Sequence, residues 1–419
     1  MTRKRRLSIP SALATTAACV LLWGCPDAVP LITGGTGGTG SSSSSTGTGT
    51  GGASTTSSSG TGASNTCTTD NMFAAPASVT AGMHPNALVV VDLNVDGKPD
   101  LAVTSADSAL VTQLLNNGDG TFQAADFHPA AENLTSITAG DLNGDGKPDL
   151  AVTYRPGSSS QSLAGVLLNN GDGTLAPISE YPTGLDATSL VAADLNGDGK
   201  LDLVCVSSLE GVVSVLLNNG NGNFGAQVPY PEANANAVAV ADVNIDGKPD
   251  LVIARGSEID GAVGVMLNNG DGTFAAAIDY PTTAVPRAIA IADLNGDGKP
   301  DLALANDGTP NTTVLLNKGD GTFGAGDDYP GVGTAGVSVA VADLNGDSKP
   351  DIAVAISGGD LLSVLLNKGD GSFTQVFAFV PSSATSALIA ADLNTDGKAD
   401  VVVANGDGDN VSVLLNTCP

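Results

Sequence analysis

Read for alternation of apolar and polar positions, most of the chain resolves into short strands separated by turn residues. A small-residue apolar run, such as ALVVV before Asp92 or AVAVA before Asp242, leads into an Asp-rich loop. A second apolar run leaves it, as in DLAVTS from Asp100, and a third resembles VSVLLN and ends in a turn such as Asn116–Phe122 (NNGDGTF). A fourth carries an aromatic followed by proline, as at Tyr230-Pro231 and Tyr280-Pro281. Runs of this length bounded by Asn-Gly and Asp-Gly predict antiparallel hairpins, here named strands A, B, C and D.

The four-strand unit repeats. A DLNxDGKxD-like segment begins at Asp92, Asp141, Asp194, Asp242, Asp293, Asp343 and Asp392, at intervals of 49, 53, 48, 51, 50 and 49 residues. A period near fifty with four strands per unit predicts an all-β, seven-bladed propeller. The chain stops at SVLLNTCP, partway through a C–D turn, and its early residues resume in register: Phe73 lies 19 residues before Asp92, as Phe122 does before Asp141. The N-terminal segment is therefore expected to supply strand D to the blade whose other strands end the chain. Cys67 aligns with Asn116 and Cys418 with Gly118, so both fall in one turn, and a Cys67–Cys418 disulfide is expected to close the ring. Cys205, within a strand B, reads as a buried thiol.

Upstream of the repeats the pattern changes. MTRKRR followed by an apolar stretch and LWGC at Leu22–Cys25 resembles a bacterial lipoprotein signal, with Cys25 the lipidated residue; an ordinary cleaved signal peptide is the alternative. Both imply export, to the cell envelope or surface when anchored, or as a secreted form otherwise. Residues 26–66, mostly Gly, Ser and Thr, have almost nothing to bury and read as a flexible tether, leaving 67–419 for the propeller.

Charge narrows the choice of partner. The chain has 44 acidic and 16 basic residues, a net charge of -28, and no acidic residue precedes Cys25. Such a surface repels phosphate backbones and attracts cations, which argues against nucleic acid. The acidic residues concentrate in the seven loops. Oxygen side chains stand at loop positions 1, 3, 5 and 9. They are Asp92, Asn94, Asp96 and Asp100; Asp141, Asn143, Asp145 and Asp149; Asp194, Asn196, Asp198 and Asp202; and Asp242, Asn244, Asp246 and Asp250. The series continues with Asp293, Asn295, Asp297 and Asp301; Asp343, Asn345, Asp347 and Asp351; and Asp392, Asn394, Asp396 and Asp400. Three carboxylates, a neutral amide oxygen, the position-7 carbonyl and a turn-making glycine at position 6 suit a hard cation. Up to seven structural Ca²⁺ ions are expected, with the position-7 lysine side chain pointing away. Position 12 is apolar (Val103, Val152, Cys205) where an EF-hand needs a chelating Glu, and no His or Cys enters the loops for zinc. Ser348 replaces the position-6 glycine, making its loop the expected weakest site. The GDG turns at Asp119, Asp172, Asp271, Asp320 and Asp370 read as plain hairpin turns.

Units joining DLNGDGKPD to GTFGAGDDYP (Gly321–Pro330) resemble FG-GAP/VCBS repeats, the kind that builds the seven-bladed head of integrin α-chains. The resemblance spans about Cys67 to Cys418. It implies Ca²⁺-ligand roles for the four oxygen positions of each loop, and binding or adhesion as the broad activity. Strand order places the A–B loops and C–D turns on one face with the termini, leaving the B–C and D–A loops outward. There the units differ most, and Tyr154, Arg155, Arg255, Glu258, Asp260 and Arg287 are candidate contacts for a protein or glycan ligand. The expected state is a single-chain propeller whose membrane contact runs only through a lipid anchor. Catalysis is not expected. The two histidines, His84 and His128, lie by prolines without a nucleophile motif, and no feature marks an acid–base pair among Glu132, Glu180, Glu210, Glu232 and Glu258. A lectin or a polysaccharide-acting enzyme on the same scaffold is the alternative, although the one tryptophan, Trp23, lies in the leader.

Overall fold

The computed structural model describes Cys67 and residues 72–418, apart from 158, 160, 258–259, 310, 332, 358–360 and 380–383. The leader, Cys25, the tether and Glu258 lie outside the described residues. Among the described residues the only helix is a single 3-10 turn at Gly406–Gly408, and none is long and apolar enough to cross a membrane.

Seven four-stranded antiparallel sheets form a ring. Blade 1 uses Pro85–Val91, Asp100–Ser105, Leu110–Leu114 and Asp126–Pro129 as strands A to D. Blades 2 to 6 follow at 134–185, 187–231, 235–282, 285–329 and 335–379. Blade 7 takes strands A to C from Thr385–Ala391, Asp400–Asn405 and Asn410–Leu414, and strand D from the chain start, Ala77–Thr80. The closing pair runs in register from Ala77 opposite Val413 to Thr80 opposite Asn410. The ring is closed as the sequence predicts. Cys67 and Cys418 form a disulfide with Cα atoms 5.1 Å apart, linking positions 351 residues apart. Such a link restricts the unfolded chain far more than a local crosslink does.

Strand A of each blade packs beside strand A of the next, and the seventh beside the first. Strand B is buried on both faces, as in Asp100–Ser105 and Asp202–Ser207. Its alternate side chains therefore feed two different cores. Accordingly, the described residues form seven hydrophobic clusters, each spanning one pair of neighbouring blades. One of them joins Ala387, Val402 and Val413 of blade 7 to Leu88, Leu101 and Leu114 of blade 1. Burial thus favours closure directly, because an open ring would expose two of these faces. Cys205 is a free, fully buried thiol in strand B of blade 3, and burial pushes its pKa up to about 12.

Every A–B pairing carries a bulge six residues before its loop, for example between Pro85 and Ala87 and between Pro286 and Ala288. The extra residue is Asn86 in blade 1 and Arg287 in blade 5. A bulge re-aims its side chain out of the ladder, and Asn86 Nδ2 uses this to donate to Leu134 O of the next blade at 2.6 Å.

Candidate metal loops

The loop after strand A folds as a set of interlocked turns. In the first, Asp92 Oδ1 accepts from the Asp96 N–H at 3.0 Å and Oδ2 from the Gly97 N–H at 2.8 Å. Asn94 Oδ1 also accepts from the Asp96 N–H, and Asp96 Oδ1 accepts from the Lys98 N–H, each at 3.0 Å. Asp and Asn favour such turns because their short side chains reach backbone N–H groups two residues on. The chain must enter the left-handed region at positions 4 and 6. Glycine serves at position 4 in four loops, but Val95, Ile245 and Thr395 hold φ of 58°, 60° and 58° there. At position 6 Ser348 is held at φ 64°, where the other loops have glycine. Ser348 thus adopts the left-handed geometry of the glycine it replaces.

Position 9 behaves differently from the tip. Asp100 is fully buried. Its Oδ2 accepts from the Leu93 N–H at 3.0 Å and its Oδ1 from the Asn116 N–H at 2.7 Å. The same two bonds recur at Asp149, Asp202, Asp250, Asp301, Asp351 and Asp400. Burial raises these carboxyls to about 6 at Asp149, Asp202, Asp250 and Asp301 and about 7 at Asp351, and the position-1 and position-5 carboxylates push the same way. A divalent cation within the loop would counter that mutual repulsion.

A second buried residue completes each loop. Asn116, at the end of strand C, donates from Nδ2 to Pro99 O at 2.9 Å and to Leu393 O of the preceding blade at 2.7 Å. Asn169, Asn218, Asn268, Asn317, Asn367 and Asn416 repeat the bond to the preceding blade's position-2 carbonyl. Seven amides thus tie seven loops into one circuit. The sequence carried the signal, an Asn closing strand C in every unit, but its turn-like setting hid the role.

The position-7 lysine does not point away. Nζ of Lys98, Lys200, Lys248, Lys299 and Lys349 lies 2.9–3.2 Å from the position-5 carboxylate. The lysine stems also cross the C–D turn: a side chain added at Gly118 or Gly270 would meet Lys98 or Lys248 at 3.0 Å or less. Attraction between charges two residues apart and packing of the stem over that glycine fold the side chain inward.

By donor chemistry the loops fit a hard cation. All side-chain donors are oxygen, and each carboxylate keeps acceptor capacity beyond its backbone bonds. Positions 1, 3 and 5 meet at the tip and position 9 sits at the base. Among the described residues no three His, Cys, Asp or Glu side chains already converge as a finished cage. The GDG turns differ: Asp119 is spent on the N–H and hydroxyl of Thr121, which lower its pKa.

The repeats match a family model described as FG-GAP-like repeat over residues 92–152, 157–205, 194–253, 242–304, 293–354 and 343–403. The chain belongs to the FG-GAP-like repeat family. No curated protein matches this FG-GAP-like chain in sequence. Among solved structures it resembles an Agrocybe aegerita lectin that recognises non-reducing terminal N-acetylglucosamine, with 21% identity, 78% of this chain and 87% of that one covered, and a TM-score of 0.52. It also resembles BBS1N solved in complex with ARL6DN, with 12% identity, 84% and 98% coverage and a TM-score of 0.58. These likenesses establish the propeller fold.

On the opposite face of the FG-GAP-like ring the candidate contacts are mostly engaged. Tyr154 is buried, 2% exposed, with its hydroxyl donating to Glu180, so it is not a surface platform. It ends a strand B, whose side chains face the seams between blades. Arg155 pairs with Asp186 at 3.0 Å. Arg255 is shared between Glu232, 2.6 Å away, and Asp279. Burial raises the Glu232 pKa while Arg255 pulls it down. Arg287 Nε donates to Asp307 at 2.9 Å. Asp260 is exposed. The structure therefore does not gather these residues into one ligand site.

Proposed function

We propose that this FG-GAP-like propeller is a calcium-binding module that recognises a partner at a cell surface and performs no catalysis. The observation that supports the reading is the repetition of one oxygen-rich loop seven times on one rim, each loop carrying three carboxylates and tied to its neighbour by a buried amide. Asp, Asn and Asp at positions 1, 3 and 5 would hold the ion, with Asp at position 9 setting the base of the loop. The ion supplies positive charge between carboxylates that otherwise repel. At free calcium about ten times Kd, each site contributes about 1.4 kcal/mol to the folded state. Native mass spectrometry tests this directly. The exported domain is expected to carry up to seven calcium ions, and the pair Asp141→Asn and Asp145→Asn to lose one. A domain without calcium at millimolar supply refutes the reading.

The proposed localisation follows from the leader: export, with Cys25 lipidated and the Gly/Ser/Thr tether leaving from the loop rim. A partner-binding surface on the opposite face then points away from the anchor. A glycan ligand is the second reading, supported by the fold likeness to an N-acetylglucosamine-recognising lectin. A glycan array read with and without calcium separates it from protein recognition.

A further inference from the structure

Four seams between blades share one aromatic clasp. Tyr181, Tyr230, Tyr280 and Tyr329 of strand D stand edge-on to Phe224, Phe274, Phe323 and Phe373 in the next blade's C–D turn, with ring centroids 5.3–5.7 Å apart. Three of the hydroxyls also donate to a turn carbonyl: Tyr181 to Gly222 O at 3.0 Å, Tyr280 to Gly321 O at 3.2 Å and Tyr329 to Gly371 O at 3.3 Å. Strand register fixes which residue holds this position, since it lies opposite the residue five before the buried Asn of strand C. Tyr181 faces Ala164, Tyr230 faces Val213 and Tyr280 faces Val263. At the closing seam the same position is Val79, opposite Val411.

Valine leaves the clasp half built. Phe122 and Gly120, the counterparts of Phe224 and Gly222, are in place, but no tyrosine ring covers them. Phe122 is only half-buried, whereas the four clasped phenylalanines are 3–8% exposed. An open groove of about 390 Å³ lies there, lined by residues 77–80 and 120–125. Blade 1 departs from the pattern in another way. His128 replaces the tyrosine and turns to Gln113 Oε1, 3.1 Å from its Nε2.

We propose that the groove between blades 7 and 1 binds a phenolic ring, supplied by a tyrosine side chain of a partner protein. The ring stands edge-on to Phe122, as at four other seams, and its hydroxyl donates to Gly120 O, as at three of those four. An edge-to-face aromatic contact and a hydrogen bond to a carbonyl are each modest, so the isolated ring binds weakly and the rest of the partner adds affinity. The tether cannot fill the groove itself, because residues 26–66 contain no aromatic. This site does not depend on the loops holding calcium.

The test uses p-cresol as probe and the protein labelled at phenylalanine for NMR. p-Cresol is expected to shift the Phe122 resonances saturably. N-acetyl-tyrosine amide competes with it, and toluene, lacking the hydroxyl, binds about five-fold more weakly. Val79→Tyr fills the groove from within, abolishes the shift and raises Tm by about 2–4 °C. Phe122→Leu, which copies Leu175 of blade 2, keeps the fold and loses binding. The proposal is overturned if p-cresol leaves Phe122 unmoved, if the shift survives both substitutions, or if toluene binds equally well. Binding of p-cresol without competition by the tyrosine amide also overturns the partner assignment, since it points to a free phenol.

Discussion

The two faces of the ring are built on opposite principles. On the loop rim one hydrogen-bond pattern recurs in every blade: Asp at position 9 clamps two backbone N–H groups, and the Asn of strand C reaches the blade before. On the far face one backbone bond recurs in five blades, as from the Ala106 N–H to His84 O and from the Ser208 N–H to Asp186 O, but the ion pairs differ from blade to blade. Arg155 pairs with Asp186, Arg255 sits between Glu232 and Asp279, and Arg287 returns to Asp307 of its own blade. The rim is uniform because seven identical turns must each satisfy the same buried groups. The far face varies because its loops need only reach solvent and a local partner.

Substitutions on the two faces should therefore differ most in cost. Asp250→Ala is expected to be the most damaging, at about 3–5 kcal/mol, because the N–H groups of Val243 and Asn268 lose their buried acceptor. Chemical denaturation measures this, and a loss below about 1 kcal/mol would mean that the clamp is dispensable. Arg255→Ala comes next on the far face at about 3 kcal/mol, since Glu232 is buried and would keep an unpaired charge. Asn268→Ala follows at about 2 kcal/mol, from three lost side-chain bonds including the one to Leu195 O. If Asn268→Ala were silent, the circuit of amides would not hold blades together. Ser348→Gly is expected to stabilise by about 1 kcal/mol, relieving a left-handed residue with a side chain. Arg287→Ala should change stability by less than about 1 kcal/mol, because that pair is about one-third exposed.

What the sequence made legible follows the same division. The loop spacing, the Asn-Gly turns and the 19-residue interval from Phe73 to Asp92 were enough to place strands, blade number and the closing strand. They report local geometry that each repeat must satisfy alone. Features made between blades were not legible. Tyr154 looks like a surface residue in YRPGSSS, yet the end of strand B is covered by neighbouring sheets. Asn116 looks like one more turn residue, yet its amide reaches a carbonyl 277 positions away in sequence. The inward fold of Lys98 depends on Gly118 of the following turn, which no single loop reveals. Val79 gains meaning only when register shows that it stands where four other blades carry tyrosine.

Thermal unfolding of the mature chain in chelator and in millimolar calcium bears most directly on the central claim, that the seven acidic loops are cation sites that stabilise the ring. Seven sites at about 1.4 kcal/mol each predict a Tm about 10 °C higher in calcium, in one cooperative transition, with magnesium a poor substitute. Superimposable melts in chelator and calcium would contradict the account and leave the loops as hydrogen-bonded turns alone.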